Sequence, residues 1–295
     1  MRNFVMTTIN FNATTGNYEA KIGKRKITSF DKKYVERQVK KLAPAMAVAA
    51  AKQDRFGINQ RFSFVEKLVT MVANRVQPSA VITGEGGLGK TYTVKETLAK
   101  CGVEDLTAVM AEAEDSMGEG YVMVKGYSTA KGLYRTLFEN NGSIIVFDDC
   151  DSILKDATAL NILKGALDSY DTRWVSWNSE MKETDDLPRT FEFTGSIIFI
   201  SNMDQNSIDQ AVRSRSMMID LSMTDSQKID RMEHIAMAED FMPNASKEHI
   251  ADALGLLRAI KDEVKELSLR TLMSVTKIRS ANDDWKDLAT YMLTL

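Results

Sequence analysis

The chain has 295 residues, enough for one large domain or two smaller ones, and its 44% apolar and 27% charged content is that of an ordinary globular protein. A net charge of -3 excludes a global pull toward nucleic acid or anionic membrane and leaves room only for a local basic patch. Two cysteines, Cys101 and Cys150, cannot build a disulfide scaffold or a zinc ribbon, and two histidines, His234 and His249, are too few for a histidine metal site.

Both cysteines therefore read as small buried hydrophobes in a reducing compartment, and both histidines as helix-surface residues. No apolar run approaches the roughly 20 residues of a membrane span. The opening "MRNFVMTTINFN" lacks the long apolar stretch of a signal peptide. A cytoplasmic protein without membrane contact is expected.

In chain order, "FVMTTINFNATTGNYEAKIGKRKI" alternates around a Thr-Gly-Asn turn and predicts a small hairpin. "SFDKKYVERQVKKLAPAMAVAAAKQDRF" predicts a helix opened by Ser29 and broken or restarted at Pro44. Its Lys/Arg run from Lys32 to Lys41 carries Asp31 and Glu36 among the cations, the pattern of a solvated helix face. Phe64, Leu68, Met71 and Val72 in "SFVEKLVTMVANRV" keep a helical spacing.

Short apolar runs then alternate with helical segments: Ala80 to Ile82, Tyr121 to Val124, Ser143 to Phe147 and Ser196 to Ile200. That alternation predicts an α/β fold, a parallel sheet covered by helices. From about Thr224 onward only amphipathic helices are predicted, for example through Ile250, Leu254, Leu257, Ile260 and Val264. The expected division is an N-terminal hairpin and helical segment (1–60), an α/β core (61–222) and a helical domain (223–295).

"TGEGGLGKTYTVKETLAK" holds the first chemical motif. Gly84-Glu85-Gly86-Gly87-Leu88-Gly89-Lys90-Thr91 fits G-x-x-x-x-G-K-[ST] at every fixed position. Backbone N–H groups that curl around a phosphate need positive φ and no side chains in the way. The helix from Lys90 onward aims its positive end at the same anion. Lys90 is expected to reach the β- and γ-phosphates of the bound ligand, and Thr91 to hold Mg²⁺ through its hydroxyl. Tyr92, the next residue, completes the expected nucleotide-binding set.

"GSIIVFDDCDS" is an apolar strand that ends in acids. Asp148 at the strand's C-terminal edge is expected to bind Mg²⁺, and Asp149 to polarise the attacking water. Asp151 or Ser152 is a candidate cap for the next helix.

With these motifs in order, Arg61 to Leu295 resembles the AAA+ family of ATPases. The resemblance implies a three-layer core with a C-terminal helical lid. The family's second acidic motif usually ends Asp-Glu, whereas this chain has Asp148-Asp149, one methylene shorter at the base position. It further implies that Asn202, at the tip of "GSIIFISN" beside Ser201, orients the attacking water. "DQAVRSRSMMIDL" resembles the segment that sends an arginine finger to a neighbouring subunit, with Arg215 the best match and Arg213 in reserve. "LSLRTLMSVTKI" resembles the lid helix: Ser268 caps it, Leu269, Leu272, Met273 and Thr276 share one face, and Arg270 reaches the nucleotide from the lid.

The resemblance also implies a homo-oligomer, a hexamer above all, acting on a macromolecule. Tyr127 in "YVMVKGYSTAKGLYRTLF" is a candidate pore aromatic. "DTRWVSWNSEMKETDDLPRTFEFTG" resembles the hairpin that lines the central pore in the helicase-and-protease branch, with Lys182 near its tip. Trp174 and Trp177 in its first arm fall on opposite strand faces. The expected activity is ATP-driven remodelling or translocation, with nucleic acid ahead of protein as substrate; a loader or assembly switch of the MoxR or clamp-loader kind is the alternative. A small-molecule kinase on the same loop is disfavoured by the helical C-terminal region and the Arg213/Arg215 segment.

Overall fold

The computed structural model describes residues 9–22, 25–39, 55–108, 120–178 and 186–294. The chain divides into two compact units, Met1–Gly57 and Ile58–Leu295.

In the first unit, β1 (Ile9–Asn12), β2 (Asn17–Ile22) and β3 (Arg25–Ser29) form an antiparallel sheet in the order β1-β2-β3. The expected hairpin is therefore one strand short. In β3 a lone Ile27 alternates with Lys26 and Thr28, and the surrounding cations hide the period of two. Residues 32–39 form helix α1. Asp31, not Ser29, opens it: the Asp31 carboxylate accepts from the Lys33 N–H at 2.8 Å, while Ser29 closes β3. Among the described residues, Ala20 and Val35 are the buried ones of this small unit. Pro44 lies outside the described residues.

The second unit is an α/β sandwich of three layers. Its parallel sheet runs β10-β4-β9-β6-β5, with β4 (Ser79–Thr83), β5 (Tyr121–Lys125), β6 (Ile144–Asp148), β9 (Ser196–Ile200) and β10 (Met217–Asp220). β4, β6 and β9 are buried along their whole length, as strands covered on both faces must be. Successive residues divide between two cores. Ala80, Ile82, Val146 and Ile198 join a cluster with α2 (Ile58–Ala73), α3 (Lys90–Lys100) and the C-terminal helices. Val81, Ile145, Phe147 and Phe199 join a second cluster with α4 (Ala130–Glu139), α5 (Ala157–Ala166) and the short α6 (Gln210–Arg215). β10 was not among the predicted runs. It is a four-residue edge strand with Met217 exposed and the other three residues half-buried.

A two-stranded antiparallel hairpin, β7 (Trp174–Ser176) and β8 (Thr190–Glu192), precedes β9. The C-terminal part is helical: α7 (Asp225–Ala236), α8 (Lys247–Ala259), α9 (Leu269–Ala281) and α10 (Trp285–Thr294). α8 ends at Ala259, so Val264 lies beyond the helix predicted to contain it. In α9 the buried face is Leu272, Val275 and Thr276, and Met273 points outward. Cys101 is half-exposed rather than buried, while Cys150 is buried.

Candidate nucleotide-binding site

The loop between β4 and α3 is shaped by glycines where side chains have no room. Gly84 has φ +133°, and a Cβ there would lie 2.8 Å from the carbonyl carbon of Leu221. Gly87 has φ +76°, and its Cβ would meet the Cβ of Ser268 at 2.8 Å. α3 opens at Gly89 without a side-chain cap. Its first backbone N–H groups therefore remain donors for an anion held by the loop. This cradle fits a phosphate.

Lys90 projects into it and is nearly buried, 5% exposed. Its ammonium donates to the carbonyls of Gly84 and Glu85, both at 2.7 Å, and to Asn202 Oδ1 at 2.9 Å. Burial pulls its pKa down to about 8, against the opposing pull of Asp149, Asp148 and Asp151. The Thr91 hydroxyl lies 3.0 and 3.2 Å from the two oxygens of Asp148, itself buried at the end of β6. A hydroxyl beside a buried carboxylate is a donor set suited to a hard divalent cation, and Thr91 and Asp148 fit Mg²⁺. Lys125, directly across from Asp148 in the β5–β6 register, places its Nζ 3.1 Å from Asp148 Oδ2.

Asp149 turns out of the strand with φ +57°, a left-handed conformation that Asp tolerates better than most residues. Its carboxylate accepts from Asn202 Nδ2 at 2.6 Å. Asn202 thus joins Lys90 to Asp149 through one amide. The next acid has a separate task. Asp151 accepts from Ser201 Oγ at 2.6 Å, tying the loop after β6 to the end of β9. Neither Asp151 nor Ser152 caps α5; Asp156 does, accepting from Ala159 N–H at 2.7 Å.

The C-terminal helices close on the outer face of the loop. Ser268 caps α9 by accepting from Thr271 N–H, and Leu269 N–H donates to Gly87 O at 2.8 Å. From α7, buried Lys228 binds Glu85 Oε2 at 2.6 Å. Buried Arg231 lies with its guanidinium carbon 3.6 Å from the centroid of the Phe62 ring and donates to Asn59 Oδ1 at 3.1 Å; burial pulls its pKa down to about 10. Tyr92 donates to Asp240 Oδ2 at 2.9 Å, and that bond raises the pKa of the phenol. Arg270, exposed on α9, lines a cleft of about 300 Å³ with Glu266, Thr271 and Met292 and makes no hydrogen bond or ion pair among the described residues. Lys228, Arg231 and Lys125 were not singled out from the sequence. The first two sit beside the buried Ile229, Met232 and Ala236 of α7, but their partners Glu85 and Phe62 are distant in sequence.

Comparison with known proteins now decides the family. A family profile described as "ATPase family associated with various cellular activities (AAA)" matches residues 80–223. A curated relative from Enterobacteria phage T4, the "Uncharacterized 36.7 kDa protein in nrdC-mobD intergenic region", is 30% identical over 79% of this chain and 73% of its own length. The chain belongs to the AAA family of ATPases. Nucleotide binding through the glycine loop goes with that membership, as does the combination of α/β core and C-terminal helices.

The outward-facing residues of this AAA protein differ in how free they are. Arg213 is exposed at the end of α6. Arg215 is half-buried and folds back on its own helix, donating to Ala211 O at 3.2 Å, with its Nε buried and unpaired. Tyr127 is 82% exposed in the loop after β5. Of the two tryptophans, Trp174 faces solvent, while Trp177 packs 5.9 Å from the Tyr134 ring. Lys182 lies outside the described residues. Among the described residues no group of three or more His, Cys, Asp and Glu side chains forms a metal cluster, and no helix is long and apolar enough to cross a membrane.

Proposed function

We propose that this chain hydrolyses ATP as part of a ring, a hexamer above all, and couples hydrolysis to remodelling or moving a macromolecule, with nucleic acid ahead of protein. The observation that carries the reading is the chain Lys90–Asn202–Asp149 at the mouth of the glycine loop. It sets a phosphate-binding cation and a carboxylate base on either side of one orienting amide. Lys90 holds the β- and γ-phosphates within the backbone of residues 84–89. Asp149 accepts the proton of the attacking water, and Asn202 orients that water. Thr91 and Asp148 would hold Mg²⁺, which would supply neutralising charge at the phosphate oxygens.

A finger cation completes the site from the adjacent subunit, where it is worth orders of magnitude in rate. Arg215 fits the family pattern best, yet the exposure of Arg213 makes it the side chain with the freer reach. Arg270 acts from residues 223–295, which serve as the lid over a core spanning 61–222. Tyr127 and Lys182 are the pore elements of this reading. The bonds from Lys228 and Leu269 to the loop equally suit a loader or assembly switch, in which nucleotide binding repositions the lid.

The deciding experiment measures ATP hydrolysis alone and with single-stranded DNA, duplex DNA, RNA or an unfolded protein, while recording oligomer mass with and without ATP. Lys90→Ala is expected to abolish ATP binding, and Asp149→Asn to bind ATP and stall. Normal turnover by Asp149→Asn removes the base assignment. Ring formation without stimulation by any polymer shifts the reading to the switch.

A further inference from the structure

Charge in this chain is partitioned rather than spread. Met1–Gly57 holds twelve Lys and Arg against four Asp and Glu, leaving +8. Of the 38 and 41 in the whole chain, the remainder therefore holds 26 and 37, leaving -11. The overall -3 conceals a strongly basic small unit joined to an acidic ATPase. Such asymmetry is an electrostatic footprint for a polyanion.

The sheet concentrates that charge on one face. Lys21 of β2 and Lys26 of β3 are direct cross-strand partners, and both are exposed. Like charges in that position repel, a cost that an anion bridging them removes. Glu19 answers Lys26 at 2.9 Å, but Lys21 has no ion pair among the described residues. By register, half-buried Glu19 and exposed Asn10 and Thr28 share this polar face with the two lysines. On α1, Lys32–Glu36 and Arg37–Asp31 are loose pairs at 3.9 Å, and exposed Lys33 has no acid partner among the described residues. The acids interspersed in the sequence thus leave most of the positive charge unanswered. Exposed aromatic rings flank the sheet face and α1, Phe30 at 84% and Tyr34 at 44%, whereas Phe11 packs on Tyr18 on the opposite face.

Cations that take phosphates, beside aromatic faces that take bases, are the two components of single-strand recognition. We propose that the Met1–Gly57 unit binds single-stranded nucleic acid, with Lys21, Lys26 and Lys33 on the phosphates and Phe30 as a stacking platform. An anionic bilayer would take the same cations, but amide and hydroxyl groups accompany the lysines on the sheet face, which favours a nucleic acid. This site lies outside the ATP site and does not depend on it.

The test uses the full chain, without nucleotide, and a fluorescein-labelled oligodeoxythymidine followed by anisotropy across a salt series. Binding is expected at low salt. The Lys21→Ala/Lys33→Ala variant should bind about tenfold more weakly, and its slope of log affinity against log salt should be shallower by about 1.4, from about 0.7 per phosphate contact on a single strand. Phe30→Ala should weaken binding about tenfold with the slope unchanged, because stacking involves no counterions. All three side chains are exposed, and unchanged circular dichroism confirms the fold. Lys90→Ala should bind as wild type, which separates this site from the ATPase reading. The proposal is overturned by no binding at low salt, by affinity unmoved in both variants, by equal duplex binding that ignores Phe30→Ala, or by binding to phosphatidylserine vesicles and not to the oligonucleotide.

Discussion

Lys90 is an ammonium almost sealed from water, with a pKa near 8 where an unfolded chain would have 10.5. Three acids nearby oppose the shift, but burial outweighs them. Only the charged form attracts a polyphosphate. Nucleotide affinity is therefore expected to be flat below pH 8 and to fall by up to about tenfold per unit above it. Fluorescent-nucleotide titrations between about pH 6.5 and 9.5 check this, and a level profile to the upper limit contradicts it. The stability of the free protein moves the other way. Between pH 8 and 10.5 the unfolded chain holds more protons at this residue, so its contribution to stability rises with pH through that window. Lys125 makes a second prediction. Its ammonium occupies one oxygen of Asp148, the carboxylate expected to receive Mg²⁺. Lys125→Met should lower the metal-free melting temperature by about 2 °C, the effect of a half-exposed ion pair in a unit of this size. It should also lower the Mg²⁺ concentration needed for thermal stabilisation, because the competing cation is gone. An unchanged Mg²⁺ midpoint contradicts the competition.

At the scale of elements, the loop and α9 form one joint. Gly87 has no room for a side chain because Ser268 stands against it, and its carbonyl accepts the N–H of Leu269. Gly87→Ala should therefore damage two things together, nucleotide affinity and the protection of the Leu269 amide from hydrogen exchange. Loss of affinity with full amide protection would show that the joint is not mechanical. The loop itself was readable in the sequence, since its glycines recur at spacings set by backbone conformation. Central strands such as β6 and β9 were readable because burial on both faces makes them continuously apolar. β10 was not, because the edge strand Met217–Asp220 has no fully buried position and ends in an acid. The part played by α7 was hidden for another reason. Lys228 and Arg231 look like surface cations until Glu85 and the Phe62 ring, both distant in sequence, are brought to them. Asp149 was legible as an acid beside the expected metal residue, but its left-handed turn toward Asn202 depends on the end of a strand encoded some fifty residues later.

At the scale of the molecule, the proposed ring would complete each site with a cation from the neighbouring subunit. A head-to-tail contact places one surface of a subunit against a different surface of the next, and a ring closes when the rotation allows. In such an assembly the nucleotide belongs to one subunit and the finger to its neighbour, so two different inactive chains should rescue each other. Asp149→Asn keeps its nucleotide cradle and both arginines but is expected to stall. Arg213→Ala keeps Asp149 and the loop but lacks the proposed finger. Mixed in equal amounts, about a quarter of interfaces pair an intact base with an intact finger, so about a quarter of wild-type ATPase activity should return if interfaces act independently. Arg215→Ala run in parallel decides between the arginines. Its Nη1 is bonded to Ala211 within α6 and its Nε is buried, so its loss should lower the melting temperature of the subunit. Rescue of Arg213→Ala without rescue of Arg215→Ala assigns the finger to Arg213 and a folding role to Arg215; the reverse result returns the finger to Arg215. Absence of rescue in either mixture, with ring formation intact, means that each subunit completes its own site.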